Sequence, residues 1–346
     1  MGDILGIGTT HYPPGLVPDE LKPWPLARML QSDPRIPAHL KDPASWPEPM
    51  RAEWGNDEGI SAFKAHRERV FRAFRAQREE IDAFRPDFIL MWGDDQYENF
   101  QDDVIPPFCV LAYDTLSFQP FKRLGKRPNI WGEPGDKTFT WRGQPRAGRY
   151  LASKLLEAGI DMAYAYKPLH GDGVAHAFAN TLLYLDRERT GFDYPILPVT
   201  VNCYGRDVVR YQGGGSQHSE EADPPAPSPR RCFELGRATA RILRESPWRV
   251  VVMASSSWSH AFLTEKNHFL YPDLEADRAL LAQLRAGDYD AWRDTPLQQL
   301  EASGQHEILN WMCLAGAAAE LGHKMELVDW AETWMFNAPK CMAVFR

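Results

Sequence analysis

A chain of 346 residues with 44% hydrophobic and 25% charged residues has the size and composition of one large globular domain. Its formal net charge of −8, with no cluster of lysine and arginine, argues against a nucleic-acid-binding protein, which needs a basic surface. A mean hydropathy of −0.45 and the absence of any run of about 18 apolar residues predict no membrane-spanning segment and no membrane partner.

The N-terminal segment MGDILGIGTTHYP lacks the basic region and the apolar stretch of a signal peptide. Gly6 also occupies the position at which a myristoylation motif carries serine or threonine. We therefore expect a cytoplasmic protein. The five cysteines are widely spaced and include no CxxC pair, so we predict neither a thiolate zinc site nor a disulfide framework.

The first part of the chain contains two strand patterns and one strong helix pattern. Residues 4–7 form a short apolar run that opens into GTTHYPP, which predicts a buried strand ending in a loop. Residues 13–56 are rich in proline and tryptophan and predict irregular structure with one or two short helices. An apolar stripe predicts a helix over 61–84. Residues 88–92 predict a second buried strand, which leads into the segment GDDQ.

The rest of the chain continues this alternation. Further strands are predicted at 162–166, 196–202 and 250–254, and further helices at 146–158, 174–186, 231–244, 275–284 and 306–321. Strands that alternate with helices imply a single α/β domain over 1–346, with a central mostly parallel or mixed sheet covered by helices on both faces. A polar stretch rich in glycine and proline at about 213–229 predicts a mobile surface loop.

Polar side chains follow three of the predicted strands, at the ends where open α/β sheets bind their ligands. The first strand leads to His11, the second to Asp94, Asp95 and Gln96, and the strand at 250–254 to His260. The last predicted helix adds Glu307 near the start of an otherwise apolar segment. This glutamate either complements the helix dipole or coordinates a metal, and carboxylate with imidazole is the usual ligand set of non-heme Fe(II) oxygenases.

Four segments in this order resemble the class III extradiol ring-cleavage dioxygenases, especially the protocatechuate 4,5-dioxygenase catalytic subunit and the gallate dioxygenases. They are a GxTTHYP start, an aspartate-rich strand end followed by Asn99-Phe100, the WSH element at 258–260 and HEILNWMCLAGA from 306. The resemblance implies that His11 and Glu307 are iron ligands and that His260 is the catalytic acid and base. It further implies that His176, in GVAHAFANTLLYL, contacts the substrate or dioxygen.

Other candidate substrate contacts are Tyr12, next to His11, and His170, which lies in a glycine-containing turn before His176. A position on a surface loop is an equally good interpretation of His170. The resemblance also allows a homo-oligomer, although no interface can be identified in the sequence.

One position departs from the family pattern. The second iron-ligating histidine of the family closes an N-D-H-x-x-x-F element, and the matching stretch here is DDQYENF, which places Gln96 at the ligand position. A glutamine carbonyl is a weaker donor than imidazole, so Fe(II) affinity should fall. Asp95 is the alternative ligand and would favour Mn(II) or Mg(II), and loss of the metal site is the third option.

The function implied by the resemblance is ring opening of a catechol-type aromatic substrate with O2. Fe(II) is the expected metal, with Mn(II) or another divalent cation as the alternative. His260 would accept a phenolic proton and later return one. Two other functions stay open on the same scaffold: a non-oxidative metal-dependent hydrolase or C–C lyase, motivated by Asp95 and Gln96, and an iron-free, non-catalytic subunit.

Overall fold

The computed structural model of the protein describes residues 2–21, 24–171, 174–211 and 223–346. Within these residues, an eight-stranded mixed sheet is flanked by helices, and two further strands form a separate ribbon. The strands are β1 (Asp3–Thr9), β2 (Phe88–Asp94), β3 (Phe108–Leu111), β4 (Thr115–Phe118), β5 (Phe139–Arg142), β6 (Ala163–Ala165), β7 (Ile196–Val201), β8 (Arg249–Ser255), β9 (Met325–Ala331) and β10 (Lys340–Phe345).

The helices alternate with these strands along most of the chain. They are α1 (Trp24–Ser32), α2 (Glu48–Trp54), α3 (Ile60–Phe84), α4 (Pro145–Glu157), α5 (His176–Leu185), α6 (Val208–Tyr211), α7 (Pro229–Arg244), α8 (Leu274–Ala286), α9 (Tyr289–Asp294), α10 (Leu297–Ala302) and α11 (Ile308–Leu321). None of the described helices combines the length and the apolar composition that a membrane crossing requires.

The large sheet has the strand order β6-β3-β7-β2-β8-β1-β10-β9. Its four central strands, β7, β2, β8 and β1, run parallel, whereas β3 and β10 pair antiparallel with this central group. Parallel strands are buried on both faces, and β2 accordingly reads FILMWGD with every residue buried. The predicted α/β fold with a mixed sheet is confirmed.

Two layers of helices cover the sheet. Leu90 and Trp92 of β2 belong to the apolar cluster that includes α4, α7 and α11 on one face. Ile89 and Met91 belong to the cluster that includes α3 and α5 on the other face. Alternate residues of one strand thus enter opposite cores, as the two-residue period of a strand requires.

Helix α11 is held against α7 by a close approach of the two backbones. A Cβ atom on Gly316 would lie 2.0 Å from the carbonyl oxygen of Phe233, and one on Gly236 would lie 1.8 Å from that of Cys313. No side chain fits at either position, so the two helix backbones can approach this closely only because both residues are glycine. Every residue from Ile308 to Ala318 is buried, which fixes the start of α11 and hence Glu307.

The segment after β1 forms a third layer beside the carboxyl ends of the strands. As predicted for 13–56, it contains two short α-helices joined by 3-10 turns and irregular chain. Trp46 and Met50 pack with Tyr12, Met335 and Phe336 in a separate apolar cluster. In addition, the Glu53 carboxylate accepts hydrogen bonds from the Thr333 hydroxyl and from the backbone N–H groups of Trp334 and Met335. The N-terminal segment is therefore tied to the loop before β10.

Several elements were not predicted from the sequence. Strands β3, β4 and β5 have only four residues each, which is too short for a periodic pattern to be recognised. Strands β9 and β10 at the far edge were also missed. Most of the predicted loop at 213–229 lies outside the described residues. Its last residues lead directly into α7, whose first turn is capped by the Ser228 hydroxyl accepting from the Arg231 N–H.

Candidate active site

The candidate site lies at the carboxyl ends of the four central parallel strands. His11 follows β1, Asp94 ends β2, Tyr204 follows β7 and Ser257 follows β8, while Glu307 caps the start of α11. A cavity of about 740 Å³ opens above this edge, and His11, Tyr204 and Glu307 line its inner end. This volume lies within the range typical of small-molecule sites.

Three potential metal ligands converge at the inner end of this cavity. The His11 Nε2 atom lies 3.5 Å from Glu307 Oε2 and 4.0 Å from Asp94 Oδ1. One ligand atom from each of the three residues lies within 4.8 Å of the other two. This spacing is close to what one cation with ligand bonds of about 2.0–2.2 Å spans. All three side chains are buried.

The orientation of the His11 ring is fixed by a hydrogen bond on the side away from Glu307. Its Nδ1 atom lies 3.2 Å from the carbonyl oxygen of Ser255, the last residue of β8. An imidazole that donates its Nδ1–H to a carbonyl keeps the Nε2 lone pair for coordination, which is the usual arrangement of a metal-binding histidine. Burial lowers the pKa of His11 to about 4 against the opposing effect of Glu307, so the ring is neutral at pH 7.

Glu307 receives hydrogen bonds from several donors. The Tyr204 hydroxyl donates to Oε1 at 3.1 Å, and the Ser257 backbone N–H donates to Oε2 at 3.2 Å. The His260 Nε2 atom lies 3.3 Å from Oε1. Burial alone would raise the pKa of Glu307, but the neighbouring His260 and His11 outweigh it and lower the pKa to about 2. Glu307 is therefore ionised.

Asp94 is fully buried beside Glu307. Gln96 Nε2 donates to its Oδ2 at 2.6 Å, and Asn310 Nδ2 lies 3.5 Å from its Oδ1. Burial, followed by the charge of Glu307, raises the pKa of Asp94 well above its ordinary value. Two carboxylates in one buried site repel each other unless a positive charge compensates them. A divalent cation between Asp94, Glu307 and the His11 lone pair would supply that charge, so the donor set fits a metal.

The two residues predicted to share the third ligand position have other partners. Gln96 is buried at the cavity wall, where its Nε2 donates to Asp94 and, at 3.1 Å, to Glu307 Oε1. The Asp95 carboxylate instead accepts from the backbone N–H groups of Glu98, Asn99 and Phe100. Asp95 thus stabilises the turn after β2, and the structure does not bring it into the metal-ligand cluster.

His260 is among the residues that line the cavity. Its backbone N–H donates to the Gly304 carbonyl at 2.8 Å, and its carbonyl accepts from the Thr264 hydroxyl at 2.7 Å. Both bonds fix the turn that carries the ring. The buried Nδ1 atom has no hydrogen-bond partner in the described part of the chain, which leaves one ring nitrogen for a ligand.

His176 also lies near His11, with the two ring centroids 5.0 Å apart and the planes nearly perpendicular. Glu98 accepts from the His176 backbone N–H and lies 3.0 Å from Nδ1. Arg123 forms an ion pair with the same carboxylate. Burial would raise the pKa of Glu98, but His176 and Arg123 lower it to about 2. Burial alone would lower the pKa of His176, but the charge of Glu98 outweighs burial, and the net effect is a raised pKa.

The two remaining predicted substrate contacts occupy different environments. Tyr12 is buried and lines the cavity, with the Lys340 Nζ atom 3.6 Å from its ring centroid. His170 lies at the surface, where its Nε2 atom is 3.0 Å from Asp103 Oδ2. It is not among the residues that line the cavity in the described part of the chain.

Three residues of the site were not identified from the sequence. Asp94 was considered only as a polar residue at a strand end, although a carboxylate that closes an otherwise apolar strand is itself a signal. Tyr204 follows a predicted strand and could have been found by the same strand-end rule. Glu98 left no such signal, because its partner His176 is distant in the sequence.

The outer part of the cavity has a different character. Its wall includes four arginines, Arg28, Arg35, Arg123 and Arg127, against the two acidic residues Asp33 and Glu98. Asp33 pairs with Arg35, and Glu98 pairs with Arg123. This part of the wall therefore carries an excess of positive charge, although the whole chain has a net charge of −8.

Comparison with known proteins gives one family match and several relatives. Residues 219–338 match the family model described as the catalytic LigB subunit of aromatic ring-opening dioxygenase. The chain is 31% identical over 192 residues to the 2,3-dihydroxyphenylpropionate/2,3-dihydroxicinnamic acid 1,2-dioxygenase 2 of Pseudomonas putida, which covers 55% of this chain and 49% of the relative. It thus spans about half the length of that relative.

Longer alignments exist at lower identity. The dioxygenase of the same substrates from Cupriavidus necator is 25% identical over 297 residues, covering 73% of this chain and 82% of the relative. The enzyme from Paraburkholderia xenovorans strain LB400 is 24% identical over 305 residues, covering 75% and 84%. Among solved structures, the uncharacterized protein JW3007 of Escherichia coli K12 gives a TM-score of 0.47 at 13% identity, covering 80% and 92%. The chain therefore contains a segment that matches the LigB family model and is similar, over about half to four fifths of their length, to relatives named as ring-cleavage dioxygenases.

Proposed function

We propose that this protein opens the ring of a catechol-type aromatic substrate with O2, using a divalent metal that is most simply Fe(II). The observation that carries the proposal is the convergence of His11, Asp94 and Glu307, with His260 beside them, at the inner end of one cavity. The metal would be held by His11, Glu307 and a third ligand from the end of β2. When bound, it would supply positive charge that favours the ionised diol and would bring the diol and O2 together.

His260 is the proton carrier in this proposal. Its Nε2 atom lies 3.3 Å from Glu307 Oε1, and donation of Nε2–H to this ionised carboxylate leaves the lone pair on Nδ1. That nitrogen can accept a phenolic proton and return it later, because imidazole exchanges protons readily near pH 7. The bonds from His260 to Gly304 and Thr264 hold the ring in place while the proton moves.

His176 is proposed to contact the substrate or dioxygen. Its Nδ1 atom lies 3.0 Å from Glu98, and the edge-to-face contact with His11, a proposed metal ligand, supports this role. A histidine whose Nδ1–H is held by a carboxylate keeps a defined tautomer and orientation. Tyr12 is proposed to form part of the ring-binding wall, whereas His170 pairs with Asp103 at the surface and is given no role in substrate binding.

The substrate is proposed to carry a carboxylate on a side chain. The relatives are named for dihydroxyphenylpropionate and the corresponding cinnamic acid, both of which are acids with a diol ring. The arginine excess in the outer wall supports a substrate whose ring enters first and whose anionic group stays near the arginines. A cavity of about 740 Å³ leaves room for such a side chain beyond a single ring.

A second candidate function is non-oxidative metal chemistry, such as hydrolysis or C–C cleavage. The observation that favours it is the second carboxylate at the site, because carboxylate-rich sites suit redox-inactive cations such as Mg(II). An iron-free subunit has less support, because His11, Asp94 and Glu307 are assembled at the spacing that one cation needs.

The test is anaerobic purification followed by metal analysis and oxygen uptake on a panel of catechols, gallate and aminophenols. Near-stoichiometric Fe(II) or Mn(II) with oxygen-dependent ring opening, lost in Glu307→Ala and in His260→Ala, is the expected result. Asp103→Asn, a change at an exposed carboxylate that pairs with His170, serves as the matched control. Metal binding without oxygen uptake on any diol would contradict the dioxygenase function and favour the non-oxidative alternative.

A further inference from the structure

The segment that ends β2 differs from the family pattern at two positions rather than one. The family element reads N-D-H, and this chain has Asp94, Asp95 and Gln96. An asparagine position therefore holds a carboxylate, and the histidine position holds an amide. The two changes lie in one short segment, and their side chains are in direct contact in the structure, with Gln96 Nε2 donating to Asp94 Oδ2 at 2.6 Å.

The hydrogen bonds of Gln96 decide which end of its amide faces the site. Nε2 donates to both Asp94 and Glu307. Around a bound cation both carboxylates are ionised, and a reversed amide would then direct its oxygen at two carboxylate oxygens, which are acceptors only. The nitrogen must therefore point at the carboxylates, and an amide nitrogen that donates hydrogen bonds has no lone pair to offer a metal.

Asp94 is in the position to act as a ligand. Its Oδ2 is occupied by Gln96, while Oδ1 faces His11 Nε2 at 4.0 Å. The residue is held rigidly, because β2 pairs with β7 on one side and with β8 on the other. Asn310 of α11 reaches the same oxygen and also donates to the Ser256 hydroxyl at 2.9 Å. Asp95 is excluded from this role by its three backbone donors.

We propose that the protein binds its divalent cation through one imidazole and two carboxylates, His11, Asp94 and Glu307, and that Gln96 holds both carboxylates in place without touching the metal. This ligand set rests on the proposed function only in assuming that the protein uses a divalent cation. It is tested by measuring metal binding, without any measurement of turnover. It reverses the expectation that Gln96 or Asp95 is the third ligand. Carboxylate has replaced imidazole, and the amide has become the hydrogen-bond donor that orients it.

The exchange changes the metal preference of the site. Two carboxylates neutralise the charge of a divalent cation, and they are harder donors than imidazole. Harder, oxygen-rich sites suit Mn(II) and Mg(II), whereas imidazole favours Fe(II) more strongly. The ratio of the Mn(II) to the Fe(II) dissociation constant should therefore be smaller here than in a site with two histidines and one carboxylate.

The experiment measures metal binding to the apo protein without turnover. Dissociation constants for Mn(II) and Fe(II) are determined under anaerobic conditions for the natural protein, Asp94→Asn, Gln96→Ala, Gln96→His and the double variant Asp94→Asn/Gln96→His. Asp103→Asn is the matched control. Thermal unfolding of each apo protein, with and without metal, shows whether the variant folds and whether the metal still stabilises it.

The expected results separate a ligand from a supporting residue. Asp94→Asn should weaken Mn(II) binding by about 100-fold or more, while Gln96→Ala should weaken it by about 10-fold, as for loss of an outer partner of a ligand. The double variant restores the N-D-H element and should recover Fe(II) binding, with a Mn(II)/Fe(II) ratio at least about 10-fold larger than in the natural protein.

Two outcomes would overturn the proposal. One is an Asp94→Asn variant that binds metal as tightly as the natural protein while Gln96→Ala does not. The other is a double variant that folds but binds Fe(II) no better than Asp94→Asn alone. Failure of the proposed function is a separate result: the predicted binding pattern without ring opening of any diol would support these ligands and contradict the dioxygenase activity.

Discussion

The carboxylate of Asp277 accepts hydrogen bonds from both the backbone N–H and the hydroxyl of Ser259, the residue before His260. The same carboxylate accepts from Gln305 Nε2 at 2.7 Å, two residues before Glu307. Asp277 lies on α8 and is fully buried. One side chain outside the cavity therefore connects the two turns that carry the proposed acid–base residue and a proposed metal ligand.

Replacing Asp277 by alanine should disturb both turns. The change leaves the Ser259 N–H and the Gln305 amide without their partner, and each buried unsatisfied group costs about 1–3 kcal/mol. We expect a lower free energy of unfolding in urea and a fall in kcat that exceeds the change in KM. Asp277→Asn retains one acceptor and should recover part of both losses. Equal kcat values in the alanine variant and the natural protein would contradict a positioning role.

The charge of Asp277 also predicts a pH dependence of stability. Burial raises the pKa of Asp277 to about 7, although hydrogen bonds from Ser259 and Gln305 oppose the rise. Because the folded state then binds the proton more tightly than the unfolded state, this group contributes most to stability below about pH 4. The contribution is lost as the pH rises through about 7. The groups that face Asp277 are Ser259 and Gln305, which donate to it, the thiol of Cys341, and the carboxylate of Asp273 at the start of α8.

Urea unfolding of the natural protein and of Asp277→Asn between pH 4 and 8 measures this effect. The difference in unfolding free energy, natural minus variant, should decrease as the pH rises, because the variant lacks the titrating group. A difference that is constant over this range would show that the carboxylate does not change its protonation state on folding.

Several residues of the candidate site could be proposed from the sequence because they follow the strand-end rule. His11 and His260 lie in the loops that follow the apolar strands β1 and β8, and Glu307 opens a helix that is apolar on all sides. Short-range patterns of this kind are visible in a sequence. The fold class was predictable for the same reason, since the central parallel strands are continuous apolar runs.

The remainder depends on contacts between distant segments. Nothing local to Asp277 indicates that it meets Ser259 and Gln305, and nothing local to Glu98 indicates that it meets His176. The sequence shows that Gln96 departs from the family pattern, but the direction of its amide depends on the three-dimensional arrangement of Asp94 and Glu307. Such arrangements are set by packing, which a single sequence does not display.

Overpacking at the α7–α11 contact should destabilise the protein. A methyl group on Gly316 would lie 2.0 Å from the Phe233 carbonyl oxygen, and backbone at that distance has to move. We expect Gly316→Ala to lower the unfolding free energy by about 1–3 kcal/mol or more and to reduce kcat by displacing Glu307. Gly135→Ala is the control, because no atom lies within 4 Å of its added methyl. Equal stability of the two variants would refute the close helix contact.

Removing the charge of Glu98 should impair His176. Glu98→Gln keeps an acceptor for the His176 backbone N–H but loses the ionised partner of Nδ1 and the ion pair with Arg123. We expect kcat to fall by about 10-fold or more, which is less than the loss expected on removing an acid–base group itself. The affinity for the metal should change little. Arg123→Gln separates the two partners of Glu98: a normal kcat in that variant would assign the effect to His176.

The arginines of the outer wall predict how the substrate side chain is recognised. Arg28→Gln and Arg127→Gln remove positive charge from the cavity wall without touching His11, Asp94 or Glu307. We expect KM for a diol that carries a propionate side chain to rise by about 3–10-fold, since exposed charge–charge contacts are worth about 1 kcal/mol. KM for a diol with a neutral propyl side chain should stay unchanged, and the difference between the two substrates should shrink at high salt because added ions screen the arginines. If both arginine variants raised KM for the neutral diol as much as for the acid, the arginines would contribute to binding through packing against the substrate. The proposed contact between the arginines and the substrate carboxylate would then be wrong.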